Sequence, residues 1–257
     1  MQLFDTHVHL MDEDFDEDRD SLIAGLAERD VALAMEIACD IRTAEGSLAL
    51  VQRYPFLYAA VGMHPHEAGE TTQAHMDQLR EMLQRDKVLA LGEIGLDYHY
   101  DFSPREVQKK WFDTQLSVAE EAQKPVVIHD REAHGDCMEL LRAHKGRFPG
   151  GIIHCFSGSY EMAKVCLDLG FFIAFGGSLT FKNARNLTEV AAKLPLDALL
   201  IETDCPYLTP EPLRGRRNDP GNVKLVCEKL SAIKGISPEE LAQITMDNGK
   251  RLLGIRD

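Results

Sequence analysis

Residues 3–11 read LFDTHVHLM, a short, largely apolar run that contains two histidines separated by one residue, His7 and His9. The run has the length and apolar content of a buried β-strand. A doubly wound dinucleotide-binding fold would place the turn G-x-G-x-x-G directly after such a first strand, and residues 7–11 contain no glycine. The stretch therefore disfavours a Rossmann fold and favours a barrel, in which reactive residues lie at the carboxyl ends of the strands.

Similar short runs recur along the whole chain, each followed by a segment of helical period. Strands are expected at residues 3–8, 31–37, 57–62, 88–93, 125–129, 151–155, 171–175 and 198–202. Helices are expected at residues 16–29, 43–54, 73–85, 104–122, 132–144 and 160–169. Alternation of strand and helix predicts parallel strands with right-handed crossovers, and eight repeats suit a closed barrel. We predict an α/β protein with a (β/α)₈ TIM barrel as a single domain over residues 1–257.

Composition narrows the class of function. The formal net charge of -14 repels polyanions at long range, which argues against a protein that grips nucleic acid mainly through its phosphates. Nucleic acid stays possible as a substrate, because bound divalent ions would add positive charge where a phosphate sits. The chain carries six cysteines without a C-x-x-C pair, and these are expected to be small buried hydrophobes rather than a disulfide framework.

No stretch approaches the roughly 18 apolar residues of a membrane helix, and the amino end lacks a cationic segment followed by an apolar run. We therefore expect a cytoplasmic protein with no membrane association. The sequence also gives no sign of an obligate protein partner.

Acidic and imidazole side chains end several of the expected strands. His7 and His9 lie two residues apart on one strand, so both project from the same face and can bind one ion. The predicted metal ligands are His7, His9, Glu93, His129, His154 and Asp204. Six ligands exceed the need of one tetrahedral ion, and a carboxylate can bridge, which predicts two divalent ions that share Glu93. Mixed nitrogen and oxygen ligands suit Zn²⁺, Mn²⁺, Ni²⁺ or Mg²⁺.

Six motifs spread over nearly the whole chain carry a family resemblance. They are DTHVH at residues 5–9, VGMHPH at 61–66, GEIGLDY at 92–98, HDR at 129–131, HCFSG at 154–158 and ETDCPYL at 202–208. With these motifs the chain resembles the TatD family of the amidohydrolase superfamily, described as metal-dependent deoxyribonucleases. The resemblance implies that His7, His9, Glu93 and Asp204 hold one ion, and that Glu93, His129 and His154 hold the other.

The resemblance also implies phosphodiester hydrolysis, with DNA ends or oligonucleotides as the substrate. We expect a metal-activated hydroxide as nucleophile, with Asp204 as general base and Glu93 as the other catalytic residue. Substrate contacts are expected from His64, His66, Arg131 and Arg214, although each could also be an ordinary loop or surface residue. Asp97 and Glu202 could orient metal ligands, or cap the helices that follow them.

Three alternative functions stay open. The same two metal ions could hydrolyse a different ester or an amide, such as a lactone or an aminoacyl-tRNA. An adenosine-deaminase-like enzyme is compatible with the His-x-x-Glu spacing of His129 and Glu132. A non-catalytic metal-binding protein is a third alternative, against which the complete ligand set argues.

Overall fold

The computed structural model describes residues 1–256. Its strands are β1 Leu3–Val8, β2 Val31–Ile37, β3 Leu57–Val61, β4 Val88–Asp97, β5 Val126–Arg131, β6 Gly151–Ile153, β7 Phe171–Phe175 and β8 Leu199–Ile201. Its α-helices are α1 Arg19–Ala24, α2 Ile41–Arg53, α3 Gln73–Met82, α4 Arg105–Ala122, α5 His134–Ala143, α6 Tyr160–Asp168, α7 Arg185–Lys193, α8 Val223–Lys234 and α9 Pro238–Leu253. Strand and helix alternate from β1 to β8, as the sequence predicts.

All eight strands belong to one sheet in sequence order, and each described pairing is parallel. The chain divides into two compact units. The first unit comprises Met1–Glu36, Cys155–Lys164 and the chain from Ile173 onward, and the second comprises Ile37–His154 and Val165–Phe172. In the first unit, a parallel bridge between Val8 and Cys205 joins the end of β1 to the chain that follows β8. The prediction of a single domain stays a prediction.

The longest strand, β4, continues four residues beyond the predicted end at Glu93. Its pairing with β5 shifts register between Leu91 and Ile94 and then continues as far as Asp97. Gly95 makes this continuation possible, because a Cβ at this position would lie 1.9 Å from the carbonyl oxygen of His129 and the backbone φ is 145°. Glu93 therefore lies within the strand rather than at its last residue.

The predicted helix at residues 16–29 is only partly present. α1 ends at Ala24, and a 3₁₀ segment, Leu26–Arg29, follows it. The break falls at Gly25, the residue type with the lowest helix propensity after proline. The other five predicted helices are confirmed within a few residues at each end. Helices α7 and α9 are not among the helices expected from the sequence, whereas the family resemblance extends to Val223 and implies a last barrel helix there, where α8 begins.

The interior is apolar and rich in strand side chains. Leu3, Phe4, Val61 and Ile128 have no exposed surface, which is expected for strands covered on both faces. None of the six cysteines forms a disulfide, as predicted; four of them are buried, whereas Cys39 and Cys155 are partly exposed, so the prediction of small buried hydrophobes holds for four of the six. Within residues 1–256, none of the helices combines the length and the apolar character that a membrane span requires.

Candidate metal centre

Two histidines and one aspartate converge in the first unit. The Nε2 atoms of His7 and His9 lie 3.2 Å apart. Oδ1 of Asp204 lies 3.4 Å from Nε2 of His9 and 3.8 Å from Nε2 of His7. His7 is fully buried and His9 is 8% exposed. The predicted ligands of the first ion that belong to this unit are thus brought together.

Buried carboxylates hold the backbone around these ligands. Asp5, on β1 two residues before His7, accepts hydrogen bonds from the backbone N–H of Thr203 at 2.9 Å and from its hydroxyl at 2.6 Å. Burial raises the pKa of Asp5 well above its usual range, against the effect of these hydrogen bonds. Thr203 directly precedes Asp204. The hydrogen bonds between Asp5 and Thr203 therefore hold β1, which carries His7, next to the backbone that carries Asp204.

The backbone at Asp204 is also unusual. Its φ of 58° lies in the left-handed region, which aspartate tolerates better than most residues. The N–H of Asp204 donates to the carbonyl oxygen of His7 at 3.0 Å. The amide of Asn218 donates to the carbonyl oxygens of Thr203 and Tyr207, on either side of Asp204. These bonds direct the Asp204 carboxylate toward His7 and His9.

In the second unit, one carboxylate oxygen of Glu93 faces three imidazoles. Oε1 lies 2.7 Å from Nδ1 of His129, 3.0 Å from Nε2 of His154 and 3.8 Å from Nε2 of His64. Glu93 is only 2% exposed. This arrangement brings together the three ligands predicted for the second ion and adds His64, which is predicted from the sequence to contact the substrate.

A second carboxylate, Asp97, supports this group from the end of β4. Its Oδ2 lies 3.1 Å from Nε2 of His129 and 2.9 Å from Nε2 of His66. Burial disfavours the charged carboxylate, but His129, the N–H of Tyr100 and His66 hold the pKa of Asp97 below its usual range. Burial also opposes a charge on His129, and its hydrogen bonds to Asp97 and Glu93 nevertheless raise its pKa. Asp97 thus contacts a predicted ligand directly, which is the geometry of an orienting carboxylate.

The donor chemistry of both groups fits a divalent cation. In the sets His7, His9, Asp204 and His64, Glu93, His129, the ligand atoms all lie within 4.8 Å of one another. Two nitrogens that bind one metal at 2.0–2.1 Å are separated by roughly 3 Å, close to the 3.2 Å between His7 and His9. Imidazole nitrogens packed this closely around a carboxylate are better satisfied as ligands of a shared cation than by contacts with one another.

The predicted substrate-binding residues fall in different surroundings. His64 is 8% exposed and adjoins Glu93, whereas the side chain of His66 is 25% exposed. The guanidinium of Arg131 lies 4.7 Å from the ring centroid of Tyr100, and that of Arg214 lies 3.8 Å from the ring centroid of Phe181. Both arginines are exposed, so each is available to a ligand in its own unit.

Glu202 and Glu36 accept hydrogen bonds from backbone N–H groups. Oε1 of Glu202 accepts the N–H of Cys155, the residue after His154, at 2.6 Å. Glu36, at the end of β2, accepts the N–H groups of Leu10 and Met11. Neither Glu36 nor the role of Asp5 is predicted from the sequence, although an acidic residue inside an otherwise apolar strand is a signal for such a role.

Comparison with known proteins identifies the family. Residues 4–254 match the family model of TatD-related DNases. The chain belongs to the TatD family. It is 42% identical over 253 residues to the uncharacterized metal-dependent hydrolase YabD of Bacillus subtilis, covering 98% of this chain and 99% of that protein. It is 33% identical over 258 residues to the 3'-5' ssDNA/RNA exonuclease TatD of Salmonella typhimurium, with 98% and 99% covered.

A solved structure supports the same assignment. The crystal structure of YjjV, a TatD homolog from Escherichia coli, superposes with a TM-score of 0.93 at 32% identity, over 99% of this chain and 98% of that chain. The (β/α)₈ barrel predicted from the sequence is thereby confirmed, as is the resemblance to the TatD family. This TatD-family chain is a metal-dependent hydrolase. The ligand set, the number of ions and the sharing of Glu93 stay predictions.

Proposed function

We propose that this TatD-family hydrolase removes nucleotides from the 3′ ends of single-stranded DNA or RNA. The observation that carries the proposal is Glu93, a buried carboxylate whose Oε1 faces His129, His154 and His64. Burying a carboxylate among imidazoles costs free energy of folding that a bound cation would offset. The exonuclease named among the relatives supports the choice of a nucleic acid substrate.

Each of the two groups of ligands holds one divalent ion in this proposal. His7, His9 and Asp204 bind the first ion, and Glu93, His129 and His154 bind the second. When bound, such ions polarise a phosphoryl oxygen and lower the pKa of water toward neutrality. The combination of imidazole and carboxylate admits Zn²⁺, Mn²⁺, Ni²⁺ and Mg²⁺.

Asp204 is the proton acceptor of the reaction. As the oxygen of the attacking water bonds to phosphorus, the Asp204 carboxylate takes up the water proton. The P–O3′ bond breaks, the terminal nucleotide leaves with the phosphate, and the O3′ of the shortened strand takes up a proton from solvent water. The Asp204 side chain is 13% exposed, so water can reach it. His64, His66, Arg131 and Arg214 position the phosphates, and the planar guanidinium groups suit phosphate oxygens.

The acidity of the chain favours ends over long duplexes. With a formal net charge of -14, the protein surface repels extended polyanions, and only a locally cationic site attracts a phosphate. We therefore expect cleavage of short or single-stranded ends without tight binding of long duplex DNA.

The test is hydrolysis of a 5′-labelled single-stranded oligonucleotide by metal-free protein reloaded with Mg²⁺, Mn²⁺ or Zn²⁺. We expect a ladder of products shortened from the 3′ end, and about two ions per chain by elemental analysis. Asp204→Asn should lower kcat by about 10²–10⁴-fold, the range for loss of a general base. Glu139→Gln, which neutralises an exposed carboxylate on α5, is the matched control and should retain activity.

Generic esters, lactones and an aminoacyl-tRNA are assayed in parallel under the same conditions. Turnover of one of these with no release of nucleotide under any metal would refute the exonuclease and leave a hydrolase of another bond. Equal activity of Asp204→Asn and the unmodified protein would remove Asp204 as the proton acceptor.

A further inference from the structure

Two aromatic side chains are exposed in the loop between β4 and α4. Tyr100 is 48% exposed and Phe102 is 69% exposed. Their rings stack with centroids 5.2 Å apart and an interplanar angle of 24°. Exposed rings that pack on each other offer a flat apolar surface, and we refer to Tyr100 and Phe102 together as the aromatic platform.

The platform adjoins the predicted ligands of the second unit. The ring of His66 contacts both platform residues edge to face, with centroids 5.4 Å from Tyr100 and 4.8 Å from Phe102. His66 in turn bonds Asp97, and the same Asp97 oxygen bonds His129. The guanidinium of Arg131 lies 4.7 Å from the Tyr100 ring. A cationic group therefore lies beside the exposed rings, at the edge of the candidate metal centre.

The loop that carries the platform is held in place although it lies at the surface. Oδ1 of Asp97 accepts the backbone N–H groups of His99 at 3.0 Å and Tyr100 at 2.8 Å. The amide of Gln108 donates to the carbonyl oxygen of Ser103 at 2.8 Å, and the Ser103 hydroxyl donates to the carbonyl oxygen of His66. A surface fixed before binding loses less conformational entropy when a ligand docks.

We propose that the aromatic platform stacks an unpaired base of a single-stranded nucleic acid whose phosphate enters the candidate metal centre. This inference rests on the proposed function and specifies how that substrate is chosen. Aromatic rings stack on any base face, and a neighbouring arginine attracts the adjoining phosphate. In a duplex the faces of the bases are already stacked on neighbouring bases, so the platform selects single-stranded ends. Phe102, with the larger exposed fraction, offers the ring surface.

The test compares two oligonucleotides of equal length and charge. One carries ordinary thymine nucleotides, and the other carries abasic tetrahydrofuran nucleotides at its last two 3′ positions. For the unmodified protein we expect a higher kcat/KM with the base-bearing substrate. Phe102→Ala should reduce the ratio of the two kcat/KM values about ten-fold, the order of magnitude of one lost stacking contact. Phe102→Trp should preserve the ratio, and Phe56→Ala, a change in an aromatic residue just before β3, is the matched control.

A second measurement does not depend on hydrolysis. An oligonucleotide with 2-aminopurine at its 3′ end is added to the metal-free protein, and stacking quenches its fluorescence. Phe102-dependent quenching in the metal-free protein, together with no hydrolysis of the same oligonucleotide by the metal-reloaded protein, would refute the exonuclease and support the platform. Hydrolysis with the same substrate ratio and quenching in the unmodified protein and in Phe102→Ala would overturn the platform and leave the exonuclease standing. Loss of both readouts from the unmodified protein would overturn the two together.

Discussion

The carboxyl ends of the strands and their amino ends bear opposite kinds of polar residue. At the carboxyl ends lie acids that pack against imidazoles: the partly exposed Asp204 against His9 in the first unit, and the buried Glu93 against His129 in the second. At the amino ends lie lysines whose ammonium groups bind backbone carbonyls. In the proposed function the first arrangement serves chemistry at a cost in stability, whereas the second joins helices to strands, a division expected of this type of barrel.

Each of two lysines at the amino ends of the strands binds several backbone carbonyl oxygens. Nζ of Lys87, just before β4, lies within 2.7–3.1 Å of the carbonyl oxygens of Val51, Tyr54, Pro55 and Leu57, where α2 ends and β3 begins. Lys234, the last residue of α8, contacts three carbonyl oxygens at the end of α7. Burial lowers the pKa of Lys87 and of Lys234, so these contacts offset a real cost of desolvation.

Glu93→Gln, at a carboxyl end, is expected to have the largest effect on activity and little effect on stability. It removes a charge that faces His129 and His154 but retains the shape of the side chain. Loss of several kcal/mol of transition-state stabilisation predicts a fall in kcat of roughly 10³-fold. The free energy of unfolding of the metal-free protein should stay within about 1 kcal/mol or rise, because burying a carboxylate is costly. Steady-state kinetics and urea denaturation measure the two quantities.

A large loss of stability in Glu93→Gln would contradict the contrast. It would mean that the carboxyl-end acids also hold the fold together.

Asp97→Asn should have an intermediate effect. The substitution keeps the size of the side chain but removes the charge that meets His129 and His66. Loss of an orienting carboxylate lowers metal affinity by roughly 10–100-fold, which competition with a chelator measures. Asp101→Asn, in the same loop, is the control, because Asp101 pairs only with Arg105 in the contacts described for it. Equal metal affinity in Asp97→Asn and Asp101→Asn would show that Asp97 does not orient a ligand.

At the amino ends, Lys87→Met should act on stability instead. It leaves the carbonyl oxygens of Val51, Tyr54 and Leu57 without their ammonium donor. We expect a loss of about 2 kcal/mol in the free energy of unfolding and a fall in Tm of several degrees. The kcat/KM of the folded enzyme should stay within about two-fold of the unmodified value. Thermal denaturation and kinetics at 25 °C test the two expectations, and loss of activity at unchanged stability would reverse them.

The smallest effect is expected from Lys124→Met. Nζ of Lys124 contacts a single carbonyl oxygen, that of Val88, at 2.8 Å. Loss of one such bond should cost about 0.5–1.5 kcal/mol. The same denaturation experiment on both lysine variants provides the comparison. If Lys124→Met cost as much as Lys87→Met, the number of carbonyls bound would not explain the stabilisation.

The sequence predicts the parts of the molecule that depend on local pattern. The period of β1 brings His7 and His9 to one face, and the alternation of apolar runs with helical segments predicts the class of fold. Long-range partners are not predictable in this way. Asp5 meets Thr203 only after the chain has completed nearly the whole fold, and Lys87 serves the end of a helix more than thirty residues earlier.

The same limit explains the errors at element ends. Pairing with β5 extends β4 to Asp97, so the position of Asp97 beside His129 depends on a neighbouring strand. The exposed stacking of Tyr100 on Phe102 likewise depends on how the loop is anchored. The spacing of residues in the sequence does not contain this information.

The left-handed backbone at Asp204, with φ of 58°, restricts which residues an engineer can place there. For most side chains with a Cβ this conformation costs about 1–2 kcal/mol, while asparagine and glycine are tolerated. Among all substitutions at position 204, the stability of each variant would therefore depend first on whether its residue tolerates the left-handed backbone. Only the variants that tolerate it would report on the chemistry of the side chain. Asparagine separates the two, because it retains the shape and the backbone preference but cannot accept the proton.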